Sequence, residues 1–322
     1  MTVTTDNIIP VAARTVRDEM IAFGIMTVLL LIVPFTGIYP FFVMQALCFA
    51  LLACAFNLLI GYGGLLSFGH AMFLGTAGYV SGHALKVWGL PPELGIVVGT
   101  LAAAGLAVIT GLIAIRRQGI YFAMITLALS QLLYFIYLQT PFTHGEDGIQ
   151  GIPQGYMFGF LNLSNPTVLY YVVLAGFLLG FLLIFRTINS PFGEVLKSIR
   201  ENEPRAISLG YKTDHYKLLA FILSGTLAGF AGALKVFVAQ NASLTDVHWT
   251  MSGEIVLMTL VGGLGTIFGP VVGAFVIIAM EQYLAGFGQW VTVIQGVVFV
   301  ICVLAFRRGI VGEVAHFFRL SL

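Results

Sequence analysis

Charge is what this chain has least of. Only 9% of its 322 residues are Asp, Glu, Lys or Arg, against roughly a quarter in an ordinary globular domain. The signs nearly cancel, to a formal net charge of +1, so there is no bulk electrostatic case for nucleic acid. Cysteine is scarce too. Cys48, Cys54 and Cys302 each lie inside an apolar run with no CxxC or Cys/His spacing, which indicates neither a disulfide framework nor a metal site. The six His residues are dispersed and show no ligand spacing. No GxxxxGK[ST] occurs, so the chain has no loop of that kind to cradle ATP phosphates. A nucleophile elbow and an acid–base constellation are equally missing, which leaves a membrane-embedded enzyme little to stand on. Alternation at period 2 is absent, which excludes a strand-built barrel.

What is present in quantity is apolar residue, 59% of the chain, with a mean hydropathy of +0.98. Apolar stretches run over 21–39, 41–60, 65–86, 94–115, 120–139, 167–187, 217–239, 253–265, 268–286 and 289–306. About 20 apolar residues cross a bilayer as a helix, and lipid-exposed backbone must hydrogen-bond within its own segment. The expected fold is an all-α polytopic membrane protein, a bundle of about ten transmembrane helices, some short or broken, with 253–265 the short one. Arg14, Arg17, Asp18 and Glu19 precede the first stretch, and no small-residue cleavage site closes it early. It reads as an uncleaved first helix, not a removed signal peptide.

Lys and Arg set the orientation. Arg14 and Arg17, Arg116 and Arg117, the five basic residues between Lys197 and Lys217, and Arg307 and Arg308 share one side if every stretch crosses. The segment 140–166 has no Lys or Arg, and 240–252 carries only Asp246. Both termini are thus expected to be cytoplasmic, with 1–20 a cytoplasmic segment, 21–306 the transmembrane domain and 307–322 a cytoplasmic tail. The loops 140–166 and 240–252 fall outside. Lys86 is the one external basic residue.

Small residues recur at helix-packing spacing. Ser67, Ala71, Gly75, Gly78 and Gly82 fall within a stripe of about 80° if 65–86 is one helix. Gly225, Gly229 and Gly232 form a second set, and Gly269 with Gly273 a third. Such residues let helix backbones approach closely in lipid, and tight packing alone accounts for them. His70 flanks the first stripe and reads either as a packed, hydrogen-bonded core residue or as a polar gate. GGLLSFGH (63–70) weakly echoes GGLGTIFGP (262–270), a match short enough for chance.

Residues 189–216, NSPFGEVLKSIRENEPRAISLGYKTDHY, are the most hydrophilic stretch. Ser190 and Pro191 make a helix start, and Phe192, Val195, Leu196 and Ile199 an apolar face opposite Lys197, Arg200 and Glu201. Asn202 can cap a second short helix with Pro204 in its first turn, and Gly210 can end it. Two short helices at the cytoplasmic surface are expected. A helix resting on lipid should carry a mainly basic polar face. This one mixes both signs, which suits a groove on a protein partner better.

Four motifs together carry a family resemblance: NLLIGYGGLLSFGHAMFLGTAGY (57–79), GEDGIQGIP (145–153), the run from Gly193 to Leu234, and GGLGTIFGPVVGA (262–274). From about residue 40 the chain resembles the LivM-type permease subunits of branched-chain amino acid ABC importers. The resemblance implies a multi-pass protein of the bacterial inner membrane that forms half of a pathway for Leu, Ile or Val. It implies a second, LivH-type permease, two cytoplasmic ATPases that bind ATP and Mg, and an extracytoplasmic binding protein. This chain would bind no cofactor and no metal. The segment holding Gly193, Glu194, Lys197, Arg200, Glu201, Asn202, Glu203, Ala206 and Gly210 would be the ATPase-coupling loop. Ala206 and Gly210 match the last two fixed positions of the EAA-type loop, whereas Pro204 and Arg205 depart from its first two. Ser67, His70, Ala71, Gly75, Gly78, Gly225, Gly229, Gly269 and Pro270 are candidates for helix packing or for flanking the pore. Asp147, Gly148 and Pro153 mark the external loop. Urea or another small organic solute is an alternative cargo. An ion-coupled secondary transporter would need an intramembrane charge, for which Glu281, Lys235 and Glu254 are the candidates.

Overall fold

The computed structural model describes residues 11–35, 37, 39–288, 290–305 and 309–317. A helix lies under each apolar stretch. In chain order the helices are α1 (Val11–Ile32), α2 (Pro40–Asn57), α3 (His70–Lys86), α4 (Pro92–Ala114), α5 (Ile120–Gln139), α6 (Pro166–Ile188), α7 (Pro191–Glu201), α8 (Glu203–Ser208), α9 (Thr213–Ala239), α10 (Trp249–Gly262), α11 (Gly269–Leu284), α12 (Trp290–Ala305) and α13 (Gly309–Phe317). Among the described residues, six are long and apolar enough to cross a membrane: α2 with its extension to Tyr62, α4, α5, α6, α9, and α11 with its extension to Phe287. Glu19–Phe35, Trp249–Gly262 and Val293–Cys302 are shorter apolar helices. At 1.5 Å per residue α10 reaches only about 21 Å, short of a bilayer core of about 30 Å.

Three helices, α2, α3 and α9, form the interior. The most apolar stretch of α2 is 89% buried and that of α9 72%, and 14 of the 17 residues of α3 are buried. A helix apolar on all sides belongs inside, and α2 carries no charge from Pro40 to Asn57. It packs on α6, α9, α10 and α11, while α3 and α4 close the opposite side of α9. The outward faces of α4 and α5 stay apolar, with Leu101, Ile109, Leu132 and Phe135 exposed, because lipid accepts what the core accepts.

Close backbone approach joins α3, α4 and α9. A Cβ on Gly225 would lie 2.7 Å from the Cβ of Ala107, and one on Gly229 would collide with Ala103, both on α4. A Cβ on Gly232 would run into the backbone of Leu74 on α3. Here the small residues do face helices. The first stripe differs. Helix α3 begins at His70, not at 65, so Ser67 lies on the preceding connection. There its Oγ accepts from the N–H of Gly69 at 3.2 Å. Gly75 faces Val247, and Gly82 faces Ile152. Gly78 meets a helix, at Val236 of α9, and Ala71 meets α10 at Ser252. Gly75 and Gly82 therefore make room for the loops at one end of the bundle, and not for a neighbouring helix.

Those loops join each other. Two-residue strands β1 (Ile149–Gln150) and β4 (Asn241–Ala242) pair antiparallel, and β2 (Tyr156–Met157) pairs with β3 (Leu161–Asn162). The β1–β4 pair puts 140–166 and 240–252 at one end. Lys86 is there too, its Nζ donating to the Gln150 carbonyl at 2.6 Å. Gly148 runs against the Ala242 carbonyl with φ +64°. Asp147 ends the 3-10 turn Gly145–Asp147, and Pro153 follows Ile152, whose N–H bonds the Gln240 carbonyl at 3.0 Å.

Lys235 of α9 forms an ion pair with Asp246, both largely buried. It is thus not an unpaired intramembrane charge. Glu281 accepts from Gln295 Nε2 at 3.4 Å. Lys235→Met should cost about 3–5 kcal/mol, because it strands a buried carboxylate. Adding Asp246→Leu should recover most of that loss. Thermal unfolding of the two variants in one detergent measures it, and an equal loss in both would reject the pair as the cause.

The expected tail contains a packed element. Helix α13 lies on α10 and α11, and a Cβ on Gly309 would collide with Gly263. At the other terminus α1 already runs from Val11, through the polar residues before Ile21. Arg307 and Arg308 lie outside the described residues.

Candidate functional site

Three chain segments converge at the end opposite the paired loops. They are the α2–α3 connection, the α4–α5 turn and the stretch from α7 to the start of α9. A cleft of about 200 Å³ opens between them, lined by Gly63, Gln118, Gly119, Arg200, Glu203 and Lys217. It shares Gly64, Leu65 and Gly119 with an apolar cleft of about 430 Å³ that runs along α5 past Phe122 and Leu127. The start of α1 is at this end as well, since Asn189 Nδ2 donates to Glu19 Oε2 at 3.3 Å. The basic groups at Arg116–Arg117 and between Lys197 and Lys217 therefore share one end.

Helices α7 and α8 occupy the positions that the spacing predicts. Ser190 Oγ accepts from the N–H of Gly193 at 3.4 Å, and Asn202 Oδ1 from that of Arg205 at 3.1 Å. Each supplies an acceptor to a helix start that would otherwise hold free donors. Leu196, Ile199 and Ala206 are buried, and Gly210 has φ +90° just past the end of α8. Glu194 and Lys197 form an exposed pair at 2.8 Å.

Two polar side chains of this segment reach partners elsewhere in the bundle. Arg200 Nη1 donates to the Gly61 carbonyl. Glu203 pairs with Lys217 at the start of α9, whose side chain is only 4% exposed. Each meets a partner too far along the chain for helical periodicity to show. The charged and amide residues still exposed on α7–α8 are Glu194, Arg200, Glu201, Asn202 and Arg205, with Ile207 and Leu209 exposed at 55% and 68%.

The end of α2 explains the position of Arg200. After Asn57 the backbone widens into a π-helical turn, Leu58–Tyr62. The last carbonyls of a helix lack intrahelical donors, and a cation is favourable there. Arg200 supplies both for Gly61. Glycine is required at that position, since a Cβ would meet Asn57 Oδ1 and lie 2.9 Å from the Gly265 nitrogen. Asn57, 2% exposed, spends its whole amide on the α10–α11 turn. Its Nδ2 donates to the Thr266 carbonyl at 2.8 Å, and its Oδ1 accepts from the Gly265 N–H at 3.0 Å. No motif spacing marks Asn57, and its one signal in the sequence is an amide at the end of a long apolar run.

The echo between 63–70 and 262–270 has a structural counterpart. Each stretch leads from a glycine-ended helix to the next helix. Thr266 Oγ1 accepts from the N–H of Gly269 at 3.1 Å, as Ser67 does for Gly69. Gly269 opens α11, with Pro270 in its first turn, where a missing N–H is harmless.

His70 is fully buried at the start of α3. Its Nε2 lies 2.8 Å from Ser224 Oγ of α9, which donates to the Ala55 carbonyl of α2. Phe56, Phe73 and Phe221 meet the ring edge to face. It has no exposed surface and ties α3, α9 and α2 together. Ala71 beside it gives its N–H to Ser252 Oγ of α10 at 3.1 Å. Among the described residues no group of three or more His, Cys, Asp or Glu could hold a metal ion.

Residues 38–305 match the family described as branched-chain amino acid transport system / permease component. The chain belongs to this family. Like the family's permeases it is a multi-pass membrane protein. It is 25% identical over 287 residues to the high-affinity branched-chain amino acid transport system permease protein LivM of Escherichia coli (strain K12), covering 81% of this chain and 67% of that one. It is 28% identical over 273 residues to the ribose import permease protein RbsC of Bacillus subtilis (strain 168), covering 80% and 81%. A probable branched-chain amino acid transport permease protein LivH of Methanocaldococcus jannaschii is 31% identical over 166 residues, covering 48% and 50%. No solved structure matches this permease at a significant level.

Proposed function

We propose that this chain is one half of the membrane pathway of an ATP-driven ABC importer for branched-chain amino acids, in a bacterial inner membrane with both termini cytoplasmic. The carrying observation is α7–α8. It is a doubly capped two-helix segment, tied to the bundle on its inner side and exposing Ile207 and Leu209 at its tip. In a chain of this family, such a segment suits docking onto a cytoplasmic ATPase. The chain itself has no phosphate-binding GxxxxGK[ST], which supports leaving ATP and Mg to two ATPase partners and assigning no cofactor or metal here. A second, LivH-type permease would complete the pathway. A binding protein would deliver substrate at the end formed by 140–166 and 240–252.

Function follows from moving α7–α8. ATP binding and hydrolysis in the partners displace the segment, and the bundle alternates its access. Charged groups inside are few, and Lys235 is paired with Asp246, so this half offers a weakly lined route. Affinity would then reside mainly in the delivery protein.

Competition uptake in proteoliposomes carrying the whole complex tests the reading. Unlabelled Leu, Ile and Val should each suppress uptake of labelled Leu, while urea and ribose leave it unchanged. Suppression by urea or ribose alone would move the cargo to another small solute. Uptake that persists without the ATPases would overturn the importer itself.

A further inference from the structure

Arg200 and Asn57 form one connected path. Arg200 lies on α7 and binds the Gly61 carbonyl at the end of α2. Asn57 lies four residues before Gly61, one helical turn back, and grips the α10–α11 turn with both ends of its amide. Its partner Thr266 also accepts from the first N–H of α11, so the grip reaches the start of that helix. The two links differ in character. Asn57 is sealed in the core, whereas Arg200 is exposed along part of its length. The inner link is therefore fixed, and the outer one can break and re-form. The π-helical turn between them is buried at Leu58, Leu59, Gly61 and Tyr62, so it cannot shift without its neighbours and acts as the connector.

We propose that Arg200 and Asn57 are positioning residues of the transport cycle, tethering α7 through the π-helical turn of α2 to the α10–α11 turn, so that displacement of α7–α8 moves α11. This rests on α7–α8 being the docking segment, but gives Arg200 a different role. It is a tether on the inner side, not a contact with the ATPase.

The test uses the complete complex in proteoliposomes, with Arg200→Ala, Arg200→Lys, Asn57→Ala and the double alanine variant. ATPase subunits should co-purify in the wild-type ratio throughout. Amino acid moved per ATP should fall roughly tenfold in each alanine variant, within the range of ordinary coupling energies. The double variant should be no worse than the worse single one, since both cut the same path. Arg200→Lys should keep most of the coupling, because an ammonium can still donate to a carbonyl. A spin label at Leu264→Cys, in the α10–α11 turn, gives a second readout that does not need Asn57 altered. Its ATP-driven change in mobility should be present with Arg200 and absent in Arg200→Ala. Wild-type stoichiometry in both singles, additive losses in the double, or an unchanged label response each overturns the tether while leaving docking intact. Loss of ATPase capture in Arg200→Ala would make Arg200 a docking contact and also reject the tether. Failure of the wild-type chain to capture ATPases would reject docking and the tether together.

Discussion

Gly232→Ala and Gly105→Ala are expected to move stability in opposite directions. Both replace a helical glycine with the best helix former, a change favourable by about 1 kcal/mol on propensity alone. A Cβ on Gly105 of α4 meets nothing within 4 Å, so that gain should survive. A Cβ on Gly232 of α9 would lie 2.9 Å from the Leu74 carbonyl carbon and 3.0 Å from its Cα, and would collide with its oxygen. Backbone cannot swing aside as a side chain tip can, so α9 and α3 must separate. Overpacking of this kind costs about 1–3 kcal/mol, and backbone contact places Gly232 at the upper end. Larger residues at 232 should prevent accumulation of the protein. Thermal unfolding in detergent decides it. Equal shifts for the two alanine variants would show that propensity, not approach, sets the role of these glycines.

Docking carries the second large effect. Ile207→Asp and Leu209→Asp should each weaken ATPase capture by about 2–4 kcal/mol, or roughly thirty- to a thousand-fold, if these side chains anchor the contact. Uptake should fall with it. The fold should not suffer, because both side chains are already in solvent or at the interface. Glu201→Gln, a change at the rim, should alter the salt dependence of assembly far more than its strength. Co-purification of the ATPases, with thermal unfolding as control, separates the outcomes. Normal capture by both aspartate variants would return α7–α8 to a helix pair resting on lipid.

Local chemistry was legible in the sequence. Ser190 with Pro191, Asn202 with Pro204, and Gly210 each act within four residues, so the starts and end of α7 and α8 could be read from spacing. The helices under the ten apolar stretches were legible for the same reason, since length and hydropathy belong to a segment alone. The stripe from Ser67 to Gly82 is not one helix face, because 65–69 is as apolar as a helix but serves as a connection. Ser67 and Gly69 are engaged with each other and with the neighbouring turn.

Two facts escaped because they are long-range. Arg200 has the spacing of an outward residue on α7, yet its partner lies 139 positions away. Asn57 meets Thr266 across 209 positions. The sequence by itself determined a helical membrane bundle, its family motifs and the capped pair α7–α8, because hydropathy, turn chemistry and capping act along the chain. Only the tertiary structure decided which faces the glycines open, which charges pair, and that α7 is joined through α2 to the α10–α11 turn. Those choices depend on which buried polar group finds a partner, and that is settled by packing in three dimensions.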